Sequence, residues 1–458
     1  MLIDSLDNIN KIHFIGVAGV GMSAIAQYLS ADNKTITGSD RYFIPETTNE
    51  TKVQLEAEGI KCFMQDGSGI DEQTQLVVIS TAIENTNVEI EKAIALQIPI
   101  IKRAELLSII LETKRGVAIG GTSGKSTTTA MLFDILEYAG LEPSIISGAG
   151  LVRLQEQGKI GNAKKGNGDI LVIEADESDG SIVNYYPEIG VLLNIDKDHK
   201  EIKELKKIFK IFKAHCRKFI VNLTTPVVSK YSENKLNDFG IARSRAGYTV
   251  RKFVQEGLCI TFEINDVSFT LNAIGKHNME NALAATCVAN QLGVSLSNCS
   301  EALARYKGIY RRNQVLGKKN NVWVIDDYAH NPAKVYAAIA SVQPLAQKVI
   351  AWFQPHGYGP TRFLRTDFVA SISQVLRTQD EIWMSEIFYA GGTAIKDISA
   401  NDLIKDLKAK GSQAFFVADR NQLINKLRSH FTNDCVLLLM GARDPSLDEF
   451  AKQVYLEI

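Results

Sequence analysis

No run of about 18 apolar residues long enough to cross a bilayer occurs in the 458-residue chain. The first residues, Met1-Leu2-Ile3-Asp4-Ser5-Leu6-Asp7, lack the basic and apolar segments of an export signal. Neither a membrane span nor secretion is expected. Six cysteines, Cys62, Cys216, Cys259, Cys287, Cys299 and Cys435, are scattered with no close pair. That suggests neither a zinc knuckle nor a disulfide framework, and makes a reducing cytoplasm the simplest home. An excess of charge is missing too: 51 Lys and Arg against 52 Asp and Glu leave a net −1. No polyanion-seeking surface follows, so nucleic acid is not an expected partner. There is no internal repeat, low-complexity segment or long charge run. What remains is an ordinary globular composition, 45% hydrophobic and 22% charged. The length exceeds what one core serves, and three domains fit it well.

One stretch organises the rest. Gly116-Val117-Ala118-Ile119-Gly120-Gly121-Thr122-Ser123-Gly124-Lys125-Ser126-Thr127 ends an apolar strand, Val117 to Ile119, turns on glycines and enters a helical pattern from Thr127 to Tyr138. Small residues let backbone N–H groups close on phosphate oxygens. A helix N-terminus favours the anion, a Lys neutralises it and a hydroxyl meets Mg²⁺. Lys125 and Ser126 fill the last two roles. The longer P-loop pattern has a Gly where Ile119 stands, so this is a short variant.

Upstream, Ile12-His13-Phe14-Ile15-Gly16 opens onto Val17-Ala18-Gly19-Val20-Gly21-Met22-Ser23, a second strand, glycine turn and helix. Its spacing departs from the dinucleotide fingerprint, and tight packing or diphosphate binding explains it equally well. Gly38-Ser39-Asp40 then places an acid where a sugar hydroxyl could be met. Strands at Leu76 to Ser80 and Ile98 to Ile101, with a helix near Asn87 to Leu96, complete a doubly wound unit of about 105 residues. A second βα series runs through Val117, Pro143 to Ile146, Asp169 to Ile173 and Ile189 to Leu193, apolar throughout as strands buried on both faces are. Gly161 to Asp169 reads as a loop, Leu223 to about Ser268 as a small antiparallel appendage and Asn278 to Leu292 as a helix. A third α/β series uses Val322 to Ile325, Val349 to Phe353, Glu381 to Met384 and Cys435 to Leu439.

Chemistry-bearing residues cluster at the carboxyl ends of these strands. Glu174-Ala175-Asp176-Glu177-Ser178-Asp179 follows one of them, and Glu174 is the expected metal ligand. Asn194 to His199 follows the next, which raises His199 as a second metal or phosphate contact. Asn278 could be only a helix N-cap. Asp326-Asp327-Tyr328-Ala329-His330-Asn331-Pro332 and Phe353-Gln354-Pro355-His356 end strands of the third series. Arg311-Arg312 either clamps a phosphate or solvates a hinge.

In order, these segments resemble the signatures of the Mur ligase family, the ATP-dependent amide ligases of bacterial cell-wall precursor assembly, over essentially the whole chain. The resemblance implies three α/β domains in series. Residues 1–107 would form a Rossmann-like domain for the UDP-sugar, and 108–307 a central P-loop ATPase-like domain for ATP. Residues 308–458 would form a Rossmann-like ligase domain that closes over ATP and the amino acid. By analogy Gly121 to Thr127 cradle the phosphates, and Lys125 and Ser126 hold the β- and γ-phosphates with Mg²⁺. Glu174 and His199 bind the metal, Asn278 and Asn281 approach the adenine, Arg312 contacts the phosphates, and Asp327, with His330 beside it, the ribose side of the nucleotide. Gly16, Gly19, Gly21, Met22, Ser23, Ser39 and Asp40 would serve the UDP-sugar, and His356 and Arg362 the amino acid.

Within the family the first glycine turn and Phe353 to His356 look most like members that join L-alanine to UDP-N-acetylmuramate. The implied reaction makes an acyl phosphate from the muramoyl carboxylate, then an amide by attack of the amine. Two departures matter here. Those members usually carry His and Thr where Ser123 and Ser126 stand, and Gly357 and Pro360 replace additional arginines near the amino-acid site. The acceptor therefore stands open between L-alanine and a whole tripeptide. A regulatory P-loop NTPase and a silent binding protein are rivals from other classes.

Overall fold

In the computed structural model, residues 3, 5–45, 48–81, 83–84, 86–198, 200–241, 245–389, 391 and 394–458 are described. The chain divides into two compact units, one of residues 1–195, 202–249 and 281–309, the other of 196–201, 250–280 and 310–458.

The first unit holds two sheets. Five parallel strands lie in the order Lys61–Met64, Thr35–Asp40, Lys11–Ile15, Leu76–Ile79, Ile100–Lys102. The chain winds to one edge and returns on the other side of Lys11–Ile15, so the glycine turn after Ile15 opens where the strand order reverses. That is where doubly wound sheets bind ligands. The second sheet runs Lys218–Val221, Ile189–Leu192, Arg115–Gly120, Ile170–Glu174, Ser144–Ile146, Ala163–Lys164, with the last strand antiparallel. Arg115–Gly120 is central, and register sets Glu174 beside Ile119 and Leu192 beside Gly120. Both neighbouring strands thus end at the level of the glycine loop.

The two sheets share one apolar core, in which Phe14, Ile25 and Leu107 join Ala118, Ile173 and Phe212. Asn162 of the second part is fully buried against the first helix, Val20–Ser30. Its Oδ1 accepts from Gln27 Nε2 at 2.8 Å, and its Nδ2 donates to the Val20 carbonyl at 2.8 Å and to Ser23 Oγ at 3.0 Å. Removing these polar atoms from water is tolerable because each finds a partner.

The second unit is built on six strands in the order Gln314–Lys319, Val322–Asp327, Cys435–Gly441, Lys348–Gln354, Glu381–Met384, Gln413–Phe416, parallel except the first. The appendage expected after Leu223 is present as antiparallel strands Tyr248–Glu256, Cys259–Ile264 and Val267–Leu271.

Boundaries moved in three places. The helix after the glycine loop begins at Lys125, two residues before the expected Thr127, because Gly124 in a left-handed conformation (φ 83°) turns the chain directly into it. The loop expected from Gly161 to Asp169 contributes an edge strand, Ala163–Lys164. Two short strands at the edges of the last sheet, Gln314–Lys319 and Gln413–Phe416, were not expected; the first is half-exposed and polar, whereas the second opens the apolar run Ala414 to Ala418 and its signal was passed over.

Candidate active site

The glycine loop presents a cation at a helix head. A Cβ on Gly124 would lie 2.4 Å from Asn281 Oδ1. Glycine is required there by both conformation and space. Asn281 Oδ1 in turn accepts from Thr128 Oγ1 at 3.3 Å. Asn194, at the end of the neighbouring strand, braces the loop from the other side. Its Oδ1 accepts from Thr122 Oγ1 at 2.9 Å and from the Ser123 amide at 2.8 Å, while its Nδ2 donates to the Ser123 carbonyl at 3.0 Å. The Ser123 hydroxyl is buried without a partner among the described residues.

Lys125 donates to the Gly121 carbonyl at 2.8 Å and to Glu177 Oε2 at 2.7 Å, with Asp176 Oδ1 at 3.9 Å. Burial alone would lower its pKa, but Glu177, Asp176 and Glu174 outweigh burial and hold the ammonium charged, above the usual lysine range. Burial raises the Glu177 carboxyl against the pull of Lys125. Glu174 is turned elsewhere: its Oε2 accepts from the Gly148 amide at 2.8 Å, where a Cβ on Gly148 would intrude to 2.7 Å. The sequence singled out Glu174 as the metal ligand and named no partner for Lys125; that partner is Glu177.

The residues suit a nucleotide triphosphate: a charged buried lysine, a loop that excludes side chains at Gly124 and an orphaned Ser123 hydroxyl. For Mg²⁺, no three His, Cys, Asp or Glu side chains converge among the described residues. The oxygen donors at the loop, Ser126 and the nearby carboxylates, suit an ion that takes one or two carboxylates and completes its shell with other donors, phosphate and water. His199, expected as a ligand, lies outside the described residues.

At the first glycine turn, the Gly16 and Val17 amides donate to the Ser39 carbonyl at 2.8 and 2.9 Å, and the Ala18 amide donates to Asp40 Oδ2 at 3.0 Å. Gly19 caps the helix, and Gly19 to Gly21 stay accessible. Four expectations need correction. Ser39 is fully buried and its hydroxyl bonds Glu89, so its side chain faces no ligand. Met22 and Ser23 point into the core, Ser23 Oγ donating to the Val20 carbonyl at 3.0 Å. Asp40 accepts from the Ala18 and Tyr42 amides, which makes it a brace of the turn, not an offered sugar contact. Arg103, not singled out from sequence, lies over the turn, with its Nη1 3.3 Å from where a Gly21 Cβ would stand, and pairs with Asp179 at 2.9 Å.

In the second unit, Arg311 and Arg312 separate into different roles. Arg311 is buried and pairs bidentately with Asp326, Nε to Oδ2 at 2.7 Å, and also donates to the Gly441 carbonyl at 3.1 Å. Arg312 stays half-exposed, its guanidinium 4.8 Å from the Tyr328 ring centroid. Asp327 accepts from the Asn313 amide at 2.7 Å, and burial pushes its carboxyl up to about 6. His330 has both ring nitrogens engaged, Nδ1 with the Tyr328 carbonyl at 2.9 Å and Nε2 with Lys334 at 3.2 Å. Burial and Lys334 hold it neutral, well below the usual histidine range.

Asp198 Oδ2 accepts from Asn331 Nδ2 at 2.8 Å and Lys334 at 3.3 Å. With His330, His356 and Thr361 it lines a small cavity. Arg362 is half-exposed and paired with Asp397 at 2.6 Å. Asn278 lies inside the helix Lys276–Gln291, and its Nδ2 donates to the Ile274 carbonyl at 2.8 Å, so it is not the N-cap.

Three family models match the chain in series: the Mur ligase family catalytic domain over residues 11–115, the Mur ligase middle domain over 119–289 and the Mur ligase glutamate ligase domain over 311–443. Among curated proteins, the chain is 35% identical to UDP-N-acetylmuramate–L-alanine ligase of Aquifex aeolicus (strain VF5), across 98% of this chain and 99% of that protein. It is 33% identical to the protein of the same name from Carboxydothermus hydrogenoformans, across 94% of this chain and 93% of that one. Among solved structures, UDP-N-acetylmuramate-alanine ligase from Thermotoga maritima matches with a TM-score of 0.78 and 25% identity, across 97% of this chain and 98% of that one. A murein peptide ligase from Psychrobacter arcticus shares the fold, with a TM-score of 0.67 at 20% identity across 98% of both chains.

Proposed function

The chain belongs to the Mur ligase family, and from that premise we propose that it is an ATP-dependent ligase of peptidoglycan precursor synthesis that joins L-alanine to the carboxylate of UDP-N-acetylmuramate, releasing ADP and phosphate. The observation that carries the reading is Lys125, a buried ammonium held charged at a helix head behind a glycine that tolerates no side chain. The full-length similarity to proteins named for that reaction supports the choice of substrates. Residues 1–107 would serve the UDP-sugar, 108–307 ATP and 308–458 the ligase step. No helix among the described residues is long and apolar enough to cross a membrane. The six cysteines are free thiols, in keeping with a cytoplasmic site of action.

Bound Mg²⁺ would neutralise phosphate charge, with Ser126, Glu174 and His199 as its proposed ligands. The muramoyl carboxylate attacks the γ-phosphorus and ADP leaves; the amine then attacks the acyl carbon, inorganic phosphate leaves and the amine nitrogen gives up its proton to solvent. Lys125 and Arg312 stabilise charge on the transferred group, where phosphoryl-transfer catalysis mostly lies. Gly121 to Thr127 orient the phosphates, Asn278 and Asn281 the base, and Asp327 the ribose. Gly16, Gly19, Gly21 and Arg103 hold the diphosphate of the sugar nucleotide, and His356 and Arg362 serve the amino acid.

ATP turnover that requires both UDP-N-acetylmuramate and L-alanine, and that disappears in Lys125→Met, is the expected result. Dependence on a tripeptide in place of L-alanine would assign the recycling reaction, and turnover without either substrate would assign an NTPase.

A further inference from the structure

Arg312 sits between two residues that the fold clamps. Arg311 and Asn313 both adopt positive φ, 54° and 47°, a conformation non-glycine residues hold only when surroundings enforce it. Arg311 is enforced by its buried pair with Asp326, by donation of its amide to Gln314 Oε1 at 2.9 Å and by acceptance at its carbonyl from the Tyr328 amide at 2.8 Å. Asn313 is enforced by its amide on Asp327 Oδ2 and by its side chain. Its Nδ2 meets His277 Nε2 at 3.1 Å, and its Oδ1 accepts from Ser341 Oγ at 3.4 Å.

His277 is itself fixed. A Cβ on Gly275 (φ 87°) would lie 2.7 Å from His277 Cε1 and 2.6 Å from Ser341 Cβ, so only glycine lets the ring pack here. The Gly275 amide donates to Gln255 Oε1 at 2.9 Å, and Gln255 Nε2 donates to the Ser341 carbonyl at 3.0 Å. Burial lowers His277 to about 4. The ring is therefore neutral near pH 7, and its Nε2 accepts the Asn313 amide proton.

We propose that His277 is a positioning residue for Arg312, acting through Asn313: the imidazole holds the Asn313 side chain, and that hold fixes the direction in which Arg312 leaves the backbone. His277 adjoins Asn278 on the helix that bears the proposed adenine contact. One turn of helix thereby ties the base end of the nucleotide to the cation proposed for its phosphates. The inference rests on the phosphate role of Arg312 proposed above.

The test compares the unmodified chain, His277→Ala, His277→Gln, Asn313→Gly, Arg312→Ala and the double variants with Arg312→Ala. Calorimetric affinity for a non-hydrolysable ATP analogue, ligation kcat and melting temperature are read for each. Asn313→Gly keeps the positive φ and the backbone amide while removing the side chain, so it carries the test if His277→Ala does not fold. His277→Ala and Asn313→Gly should each weaken analogue binding or lower kcat by about three- to tenfold, the size of one lost hydrogen bond. Neither should add anything in the Arg312→Ala background, and His277→Gln, whose carbonyl can accept from Asn313, should recover most of the loss. Effects that multiply in the Arg312→Ala background, or a lowered melting temperature with binding and kcat unchanged, would overturn the proposal. Absence of ligation by the unmodified chain would refute the proposed reaction instead, and the calorimetric coupling would still decide the role of His277.

Discussion

Without nucleotide, the cation meant for phosphate is neutralised by the protein itself, and Glu177→Gln tests this. Lys125 and Glu177 keep only 10% and 4% of their side chains exposed, at 2.7 Å. Removing one partner of a buried pair typically costs about 3–5 kcal/mol. Here glutamine keeps an oxygen acceptor, and Asp176 remains 3.9 Å away, so about 2–3 kcal/mol is expected for the nucleotide-free protein. Spread over the compact unit of roughly 270 residues that holds the pair, that lowers the melting temperature by about 4–6 °C. ATP phosphates replace the lost counter-ion, so the bound variant should recover most of this difference. By linkage its ATP affinity should rise, by about tenfold or more. Thermal melting and calorimetry with ATP in chelator-containing buffer read both effects and remove any metal role of the acid. An unchanged melting temperature together with weaker ATP binding in the variant would refute the reasoning.

Gly124→Ala should destabilise the loop by about 2–4 kcal/mol, from the left-handed conformation and the displaced Asn281–Thr128 bond; calorimetry should find ATP binding lost, and an unchanged melting curve would contradict the geometry. Arg311→Met leaves Asp326 buried and unpaired, so melting should fall by the equivalent of about 3–5 kcal/mol, whereas Arg312→Ala should leave melting nearly unchanged and lower kcat. Asp327 has its carboxyl raised from 3.8 to about 6 by burial. Its contribution to stability is therefore full below 3.8 and lost as pH rises through about 6, while a charge-assisted bond from a ribose hydroxyl needs the carboxylate and weakens as pH falls through the same value. ATP affinity measured between about pH 5 and 8 should weaken on the acid side, and Asp327→Asn should flatten both dependences.

The strands were legible where burial on both faces demands apolar residues: Leu171-Val172-Ile173 and Leu437-Leu438-Leu439 admit no other reading. The edges were not, because Gln314–Lys319 has one neighbour, its residues half-exposed, and so carries no apolar run. The glycine loop was legible because each of its residue types answers a geometric need at a strand-to-helix turn. Spacing could not tell Arg311 from Arg312, and only the family resemblance singled out Arg312, since the distinction lies in which one meets Asp326, fifteen residues on and across the sheet edge.

The acidic segment shows why the rest was hidden. From sequence, Glu174 was singled out only as the metal ligand and no acid was assigned to Lys125; in the fold Glu174 accepts from the Gly148 amide, and Glu177 meets Lys125. Asp176 accepts from the Ser178 amide at 3.0 Å, and Asp179 holds both the Ser181 amide, at 2.8 Å, and Arg103. Every acid of the segment is thus matched, three of them to the cations that lie at the two glycine turns, Glu177 and Asp176 to Lys125 and Asp179 to Arg103. An anion brought to either turn would compete with a carboxylate of this one segment for its cation. Its charges therefore set the electrostatic cost of filling both sites, a property of the folded loop that no spacing of residues encodes.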